Sequence, residues 1–131
     1  MDQDEILAVV QEAVVAALGL DEDEATPDAT LMGDLGAESI DLLDVLFRVE
    51  RKTGIKVQAA DLAEYVQGGI PDEEFSDADE VVTATGLAHL KKVMPQIDVE
   101  ALTGKLTAEN VITLFTVQNL ATLYAERSGG A

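Results

Sequence analysis

The sequence predicts an all-α fold, and three observations carry that expectation. Apolar residues make up 47% of the 131 positions, enough for one domain of ordinary size to bury a real core. With three Phe, two Tyr and no Trp, that core must be built from Leu, Val, Ile and Ala, a usage that favours helices packed on helices. The longer apolar runs repeat at three- and four-residue spacing, the period of an α-helix. Residues 1–131 are expected to form a single domain.

The first helix is read over Asp4–Leu18, where Ile6, Leu7, Val9, Val10, Ala13, Val14, Ala17 and Leu18 keep helical spacing and Gly19 offers a stop. Residues 19–38, GLDEDEATPDATLMGDLGAE, mix acids, Pro27 and glycines without a sustained period. They predict a long loop, pinned to the core by Leu20, Leu31, Met32 and Leu35. A second helix is expected from Ser39 to about Lys52, with Ile40, Leu43, Leu46, Phe47 and Glu50 along one stripe. Arg48, Arg51 and Lys52 fall in its last turns, where cations complement the helix dipole, and Gly54 ends it.

The segment AADLAEYVQ adds a helical turn or two before Gly68-Gly69-Ile70-Pro71 breaks the chain, and residues 72–80, DEEFSDADE, read as an acidic link. Val81, Val82, Leu87, Leu90, Val93, Met94 and Ile97 then suggest a helix ended by Pro95, with Gly86 as its weak point. Val82, Leu87, Leu90, Val93 and Met94 make a stripe too large to leave in water, expected to fold back onto the rest of the helical bundle, with an exposed docking site for one enzyme as the alternative. Thr107 and Thr116, each with Asn three residues on, are placed as N-caps of a short helix near 108–114 and a longer one near 117–127. The terminal SGGA is read as disordered.

Charge and composition exclude whole classes of function. There are 26 acidic and 8 basic residues, a formal charge of −18, which repels a phosphate backbone and an anionic membrane surface. Neither nucleic acid nor membrane is an expected partner. The acids concentrate in residues 1–50, where Arg48 is the lone base, so this half should attract partner proteins with basic surfaces. Without cysteine, disulfides, thiolate metal sites and thiol catalysis are excluded. The start MDQDEILAVV is acidic where a targeting peptide would be basic, and a cytoplasmic location is expected.

DEDEATPDATLM begins like a calcium loop but has Thr26 at the sixth position, Pro27 at the seventh and Met32 at the twelfth, so no metal site is expected. His89 lacks a nucleophile at a recognisable spacing and is read as a surface or interface residue. No serine lies in a Gly-x-Ser-x-Gly elbow, and catalytic residues are not expected.

Ser39 is the informative residue. Local sequence alone reads it as an N-cap, since serine is a preferred cap. A cap does not require the preceding LGAE, the acids Glu38 and Asp41 close by, or the GIKV that closes the segment. Taken together, DLGAESIDLLDVLFRVERKTGIKV resembles the phosphopantetheine attachment region of acyl carrier proteins, whose usual core is Asp-Ser-Leu at the head of the second helix. The first helix, the acidic loop and the final FTVQNLATLYAER match in order, over about residues 4–66 and 107–127.

The resemblance implies an acyl-carrier-type four-helix bundle in which Ser39 bears a covalent 4′-phosphopantetheine arm holding acyl groups as thioesters. It implies a non-enzymatic, monomeric carrier for fatty acid or specialised lipid biosynthesis, served by a phosphopantetheinyl transferase and acyl-processing enzymes with basic docking surfaces. Glu38, Ile40, Asp41, Leu43, Asp44, Phe47 and Glu50 are the implied recognition residues, with Leu43 and Phe47 at positions of apolar contact or of the acyl pocket. Polyketide or nonribosomal peptide assembly is an alternative pathway, and an unmodified acidic helical adaptor is an alternative class. Three departures stand out: Glu38-Ser39-Ile40 replaces Asp-Ser-Leu, the cations Arg48, Arg51 and Lys52 imply altered partner choice, and the long interval from Gly54 to Thr116 implies an inserted helical segment within residues 68–106.

Overall fold

The structure, a computed structural model, describes residues 3–129, with Ser39, Ala59, Ser128 and Gly129 described by backbone alone. Seven α-helices, one 3-10 helix and no strand are found among these residues, with pairing limited to three isolated bridges. The chain divides into two compact units, one made of residues 1–59 and 115–131 and the other of residues 60–114.

In the first unit, α1 (Gln3–Leu18) packs against α2 (Ser39–Thr53) and α7 (Val117–Gly129). Ile6, Val10, Ala13 and Val14 are its buried residues, the i, i+4, i+7, i+8 pattern of one helix face. From α2 the buried set is Leu42, Val45, Leu46 and Val49, and from α7 it is Val117, Leu120, Ala121, Leu123 and Tyr124. The Tyr124 hydroxyl, buried with its ring, donates to the Leu46 carbonyl at 3.3 Å. Burial first, and then the Glu50 carboxylate, hold that hydroxyl well above the ordinary tyrosine range, against a smaller lowering by Arg127.

The loop of residues 19–38 is anchored differently from the expectation. Leu31 is buried, but Leu20, Met32 and Leu35 are only half-buried, and the tight contacts fall to Ala25, Ala29 and Ala37. Small side chains let the loop backbone approach closely enough to bond: Gln11 Nε2 donates to the Ala25 carbonyl at 2.9 Å. The start of α7 completes the clamp. Thr30 bridges Thr116, Leu31 N–H donates to Phe115 O, and Val117 N–H to Ala29 O, each bond 3.0 Å long. Thr116 caps α7 as expected, its Oγ1 accepting from Asn119 N–H while Asn119 Oδ1 accepts from Thr116 N–H. Ser128 and Gly129, expected to be loose, continue the backbone of α7, and Gly130 and Ala131 lie outside the described residues.

In the second unit, α3 (Ala59–Gln67) occupies the AADLAEYVQ segment and ends at Gly68, whose φ is +66°. Gly68 is required for space as well, because a Cβ there would lie 2.2 Å from the His89 ring. His89 is half-buried, with Nε2 3.0 Å from the Tyr65 carbonyl. The expected acidic link instead contains a short helix, α4 (Asp72–Phe75), that drives Phe75 into the interior, followed by a bridge from Ser76 to Val82.

The next helix, α5, spans Ala84–Val93 rather than starting at Val81. Thr83 Oγ1 caps it by accepting from Gly86 N–H at 3.2 Å. Gly86 is a packing device, since a Cβ would meet Phe75 O and Val82 Cγ1, each at 2.7 Å. Val82, Leu87, Leu90 and Met94 are buried, as the expected stripe requires, with Val93 half-buried. Lys91 Nζ donates to the carbonyls of Pro95 and Ile97 beyond the helix end. A last short helix, α6 (Val99–Leu102), and a 3-10 helix over Ala108–Leu114 complete the unit, the latter led by Thr107 with Asn110 Nδ2 on its Oγ1.

Candidate functional site

The site begins where the long loop becomes α2. Gly36 turns the chain with φ +71°, Ala37 is buried and holds the turn to the unit, and Glu38 is the N-cap, with extended backbone. Ser39 is therefore the first helical residue and not the cap that its residue type suggests. Glu38 N–H donates to Asp41 Oδ2 at 3.0 Å, and Leu42 N–H to Glu38 O at 3.0 Å. Asp41 is thus folded back on the helix start, half-buried, where a carboxylate complements the dipole. The N–H groups of the first turn have no intrahelical acceptor, which makes the start of a 15-residue helix a natural place for a phosphate.

Helix α2 is apolar on two faces, and the structure separates them. Leu46, read from the sequence with the stripe of Ile40, Leu43 and Phe47, belongs to the buried face. Ile40, Leu43 and Phe47 are 70%, 52% and 57% exposed, the large apolar side chains left in water among the described residues. Their i, i+3, i+7 spacing makes one band running from the helix start. Glu50 is half-buried beside this band. Asp44 pairs with Arg48 at 3.2 Å, both half-exposed, and the Arg51 guanidinium lies 5.7 Å from the centre of the Phe47 ring. The Gly54 N–H caps the far end on Glu50 O at 2.7 Å, with φ +76°.

The structure therefore brings Glu38, Ile40, Asp41, Leu43, Asp44, Phe47 and Glu50 onto one helix with Ser39 at its head. Along that helix the charge changes sign, from acidic first turns to the cationic end at Arg48, Arg51 and Lys52 that the sequence already placed in its last turns, and their i, i+3, i+4 spacing groups all three on one side.

A long helix that opens beside an exposed apolar band, carried by a small helical unit, sets the geometry against which known proteins can be compared. The phosphopantetheine attachment site family matches residues 8–67, from the middle of α1 to the end of α3. The acyl carrier protein of Thermotoga maritima is 42% identical over 60 residues, 46% of this chain and 74% of the relative. That of Rubrobacter xylanophilus is 40% identical over 57 residues, 44% of this chain and 70% of the relative. The acyl carrier protein AcpXL of Brucella melitensis biotype 1 is 31% identical over 67 residues, 50% of this chain and 72% of the relative. No solved structure gives a significant match. The chain belongs to the acyl carrier protein family, and its prosthetic group is 4′-phosphopantetheine. No helix among the described residues is long and apolar enough to cross a membrane.

Proposed function

We propose that Ser39 is the attachment residue and that the chain carries acyl groups as thioesters in fatty acid or specialised lipid biosynthesis. The observation that carries this reading is the position of Ser39, first in a long helix and inside the matched attachment region. The helix start fits a phosphodiester, because the first-turn N–H groups and the dipole favour an anion there. When attached, the arm supplies a terminal thiol for the acyl group. The chain's own residues supply placement and recognition: Glu38 and Asp41 set the helix start, and Ile40, Leu43 and Phe47 offer an apolar contact flanked by Asp44 and Glu50.

In the modification, Ser39 Oγ attacks the pantetheine-side phosphorus of the coenzyme A diphosphate, in an active site holding magnesium on a phosphopantetheinyl transferase. The new O–P bond replaces the bond to the nucleotide leaving group, and the hydroxyl proton passes to a base of the transferase. The transferase and the acyl-processing enzymes dock with basic surfaces. The carrier itself acts as a cytoplasmic monomer and catalyses no reaction. Residues 68–106 are an insertion within one carrier domain, which supports a specialised pathway over a general one.

Incubation with coenzyme A, magnesium and a broad-specificity transferase should add one phosphopantetheine to the wild type and none to Ser39→Ala, read by intact mass. Label on Ser76 or Ser128 overturns the assignment to Ser39, and no addition to the wild type overturns the carrier reading and leaves an unmodified adaptor.

A further inference from the structure

A groove of about 420 Å³ runs between α1 and the C-terminal half of α2, lined by Val9, Glu12, Ala13, Ala16, Arg48, Arg51 and Lys52. All of its walls lie in the first unit. Its floor is Val9, Ala13 and Ala16 of α1, at the edge of that helix's buried face, and its rim carries three of the chain's eight bases. In a protein of charge −18, such a concentration of cations over an apolar floor needs a reason. One reason is the helix dipole, which Arg51 and Lys52 complement in the last turn. The dipole does not account for the apolar cleft beneath them.

We propose that this groove binds a single-chain anionic amphiphile, with the alkyl chain on Val9, Ala13 and Ala16 and a carboxylate or phosphate monoester head on Arg48, Arg51 and Lys52. The volume lies in the range of small-ligand sites and below what a partner helix needs. Val9 to Ala16 spans about 10 Å of helix, the length of a roughly eight-carbon chain. The rim's present partners are weak, with Arg51 lying over the exposed Phe47 ring at 5.7 Å. Arg48 is held by Asp44 at 3.2 Å and Lys52 by Glu12 at 3.8 Å, both exposed surface pairs of small net energy. The three bases outnumber Glu12, the one acid of the lining, so the rim favours an anionic head. The site is separate from the attachment residue at the other end of α2, and it does not depend on that residue being modified.

The test uses the full chain as Ser39→Ala, so that no arm is present, with octanoate, octyl phosphate, octanol and acetate as probes. In a two-dimensional amide NMR titration, octanoate or octyl phosphate should shift the amides of the groove residues, with octanol and acetate at least tenfold weaker. Preference for one anion then identifies the head. Arg51→Gln with Lys52→Gln should weaken the anionic probes about tenfold and leave octanol unchanged. Ala16→Phe, which fills the groove without altering charge, should block all probes, and serves if the charge variant fails to fold. Equal binding of octanoate and octanol, shifts centred elsewhere, or affinity surviving both variants would overturn the proposal and leave the cations as partners of the dipole alone.

Discussion

The two units handle the same aliphatic composition in opposite ways. The unit of residues 60–114 hides its large apolar side chains, with Phe75, Leu87, Leu90 and Met94 each no more than 4% exposed. The unit of residues 1–59 and 115–131 leaves Ile40, Leu43 and Phe47 in water on the helix that Ser39 opens. Exposed apolar bands cost solubility and add nothing to stability, so they persist where a partner covers them. The contrast supports the proposed recognition surface on α2, since the second unit buries its own apolar residues.

The largest expected effect tests that contrast directly. Leu90→Ala should cost about 2–5 kcal/mol in denaturant-induced unfolding, because a fully buried leucine loses both transfer energy and packing. Phe47→Ala should change stability by no more than about 0.5 kcal/mol, yet slow modification by the transferase. If the two variants unfold alike, the contrast between the units is broken.

A second pair separates packing from backbone conformation. Gly86→Ala forces a Cβ within 2.7 Å of the Phe75 carbonyl and should cost about 1–3 kcal/mol, with Gly86→Asn worse. At Gly36 a Cβ meets open space but φ is +71°, so Ala should cost about 1–2 kcal/mol and Asn, which tolerates that region, less than Ala. Thermal melts that rank Ala and Asn in the same order at both positions would contradict the assignment of causes.

Tyr124→Phe should cost about 0.5–1.5 kcal/mol, the worth of its bond to Leu46 O, and should also change the pH dependence. Burial raises the folded hydroxyl above its ordinary value. Its contribution is therefore complete below about pH 10 and is lost as pH rises, because the unfolded chain ionises first. Wild-type stability should fall above about pH 10 by up to about 1.4 kcal/mol per pH unit from this group, and the Phe variant should lack that component.

The smallest effect is on encounter. Asp41→Lys with Asp44→Lys should slow transferase modification several-fold at low salt, with the difference shrinking as salt is added. Asp44→Asn alone should do less, since Arg48 already offsets that charge at 3.2 Å. A rate unchanged at low salt would move recognition to the loop before Ser39.

Much of this was legible in the sequence because local rules agreed with one another. Helix α1, the Gly54 stop, the AADLAEYVQ helix and the cap at Thr116 were each marked by local signals that agreed, whereas Thr107 meets the Asn110 side chain rather than a backbone N–H. The two faces of α2 were not separable in this way. Leu42, Val45, Leu46 and Val49 and the set Ile40, Leu43 and Phe47 are both valid helical stripes, and only tertiary packing decides which goes inside. Helix α4 was missed because four residues with three acids carry no period, and Phe75 is buried by its surroundings rather than by a pattern. The Ser39 cap was misplaced by one residue because Glu38 took the role that serine more often fills.

The clamp between Thr30 and Thr116 has a kinetic consequence. Helices α1 and α7 stand at opposite ends of the chain, and their packing, like the bonds from Leu31 to Phe115 and from Val117 to Ala29, joins residues separated by most of its length. Contacts of such separation slow folding, because the entropy of closing the intervening segment is lost before any contact repays it. The intervening residues 60–114 form a compact unit of their own, with bridges from Ser76 to Val82 and from Val81 to Thr107. A segment that orders before α7 docks shortens the effective loop that α7 must close. Destabilising residues 60–114 should then slow formation of the α1–α7 pairing as well as weaken the second unit, a coupling that refolding rates of core variants in that segment would reveal.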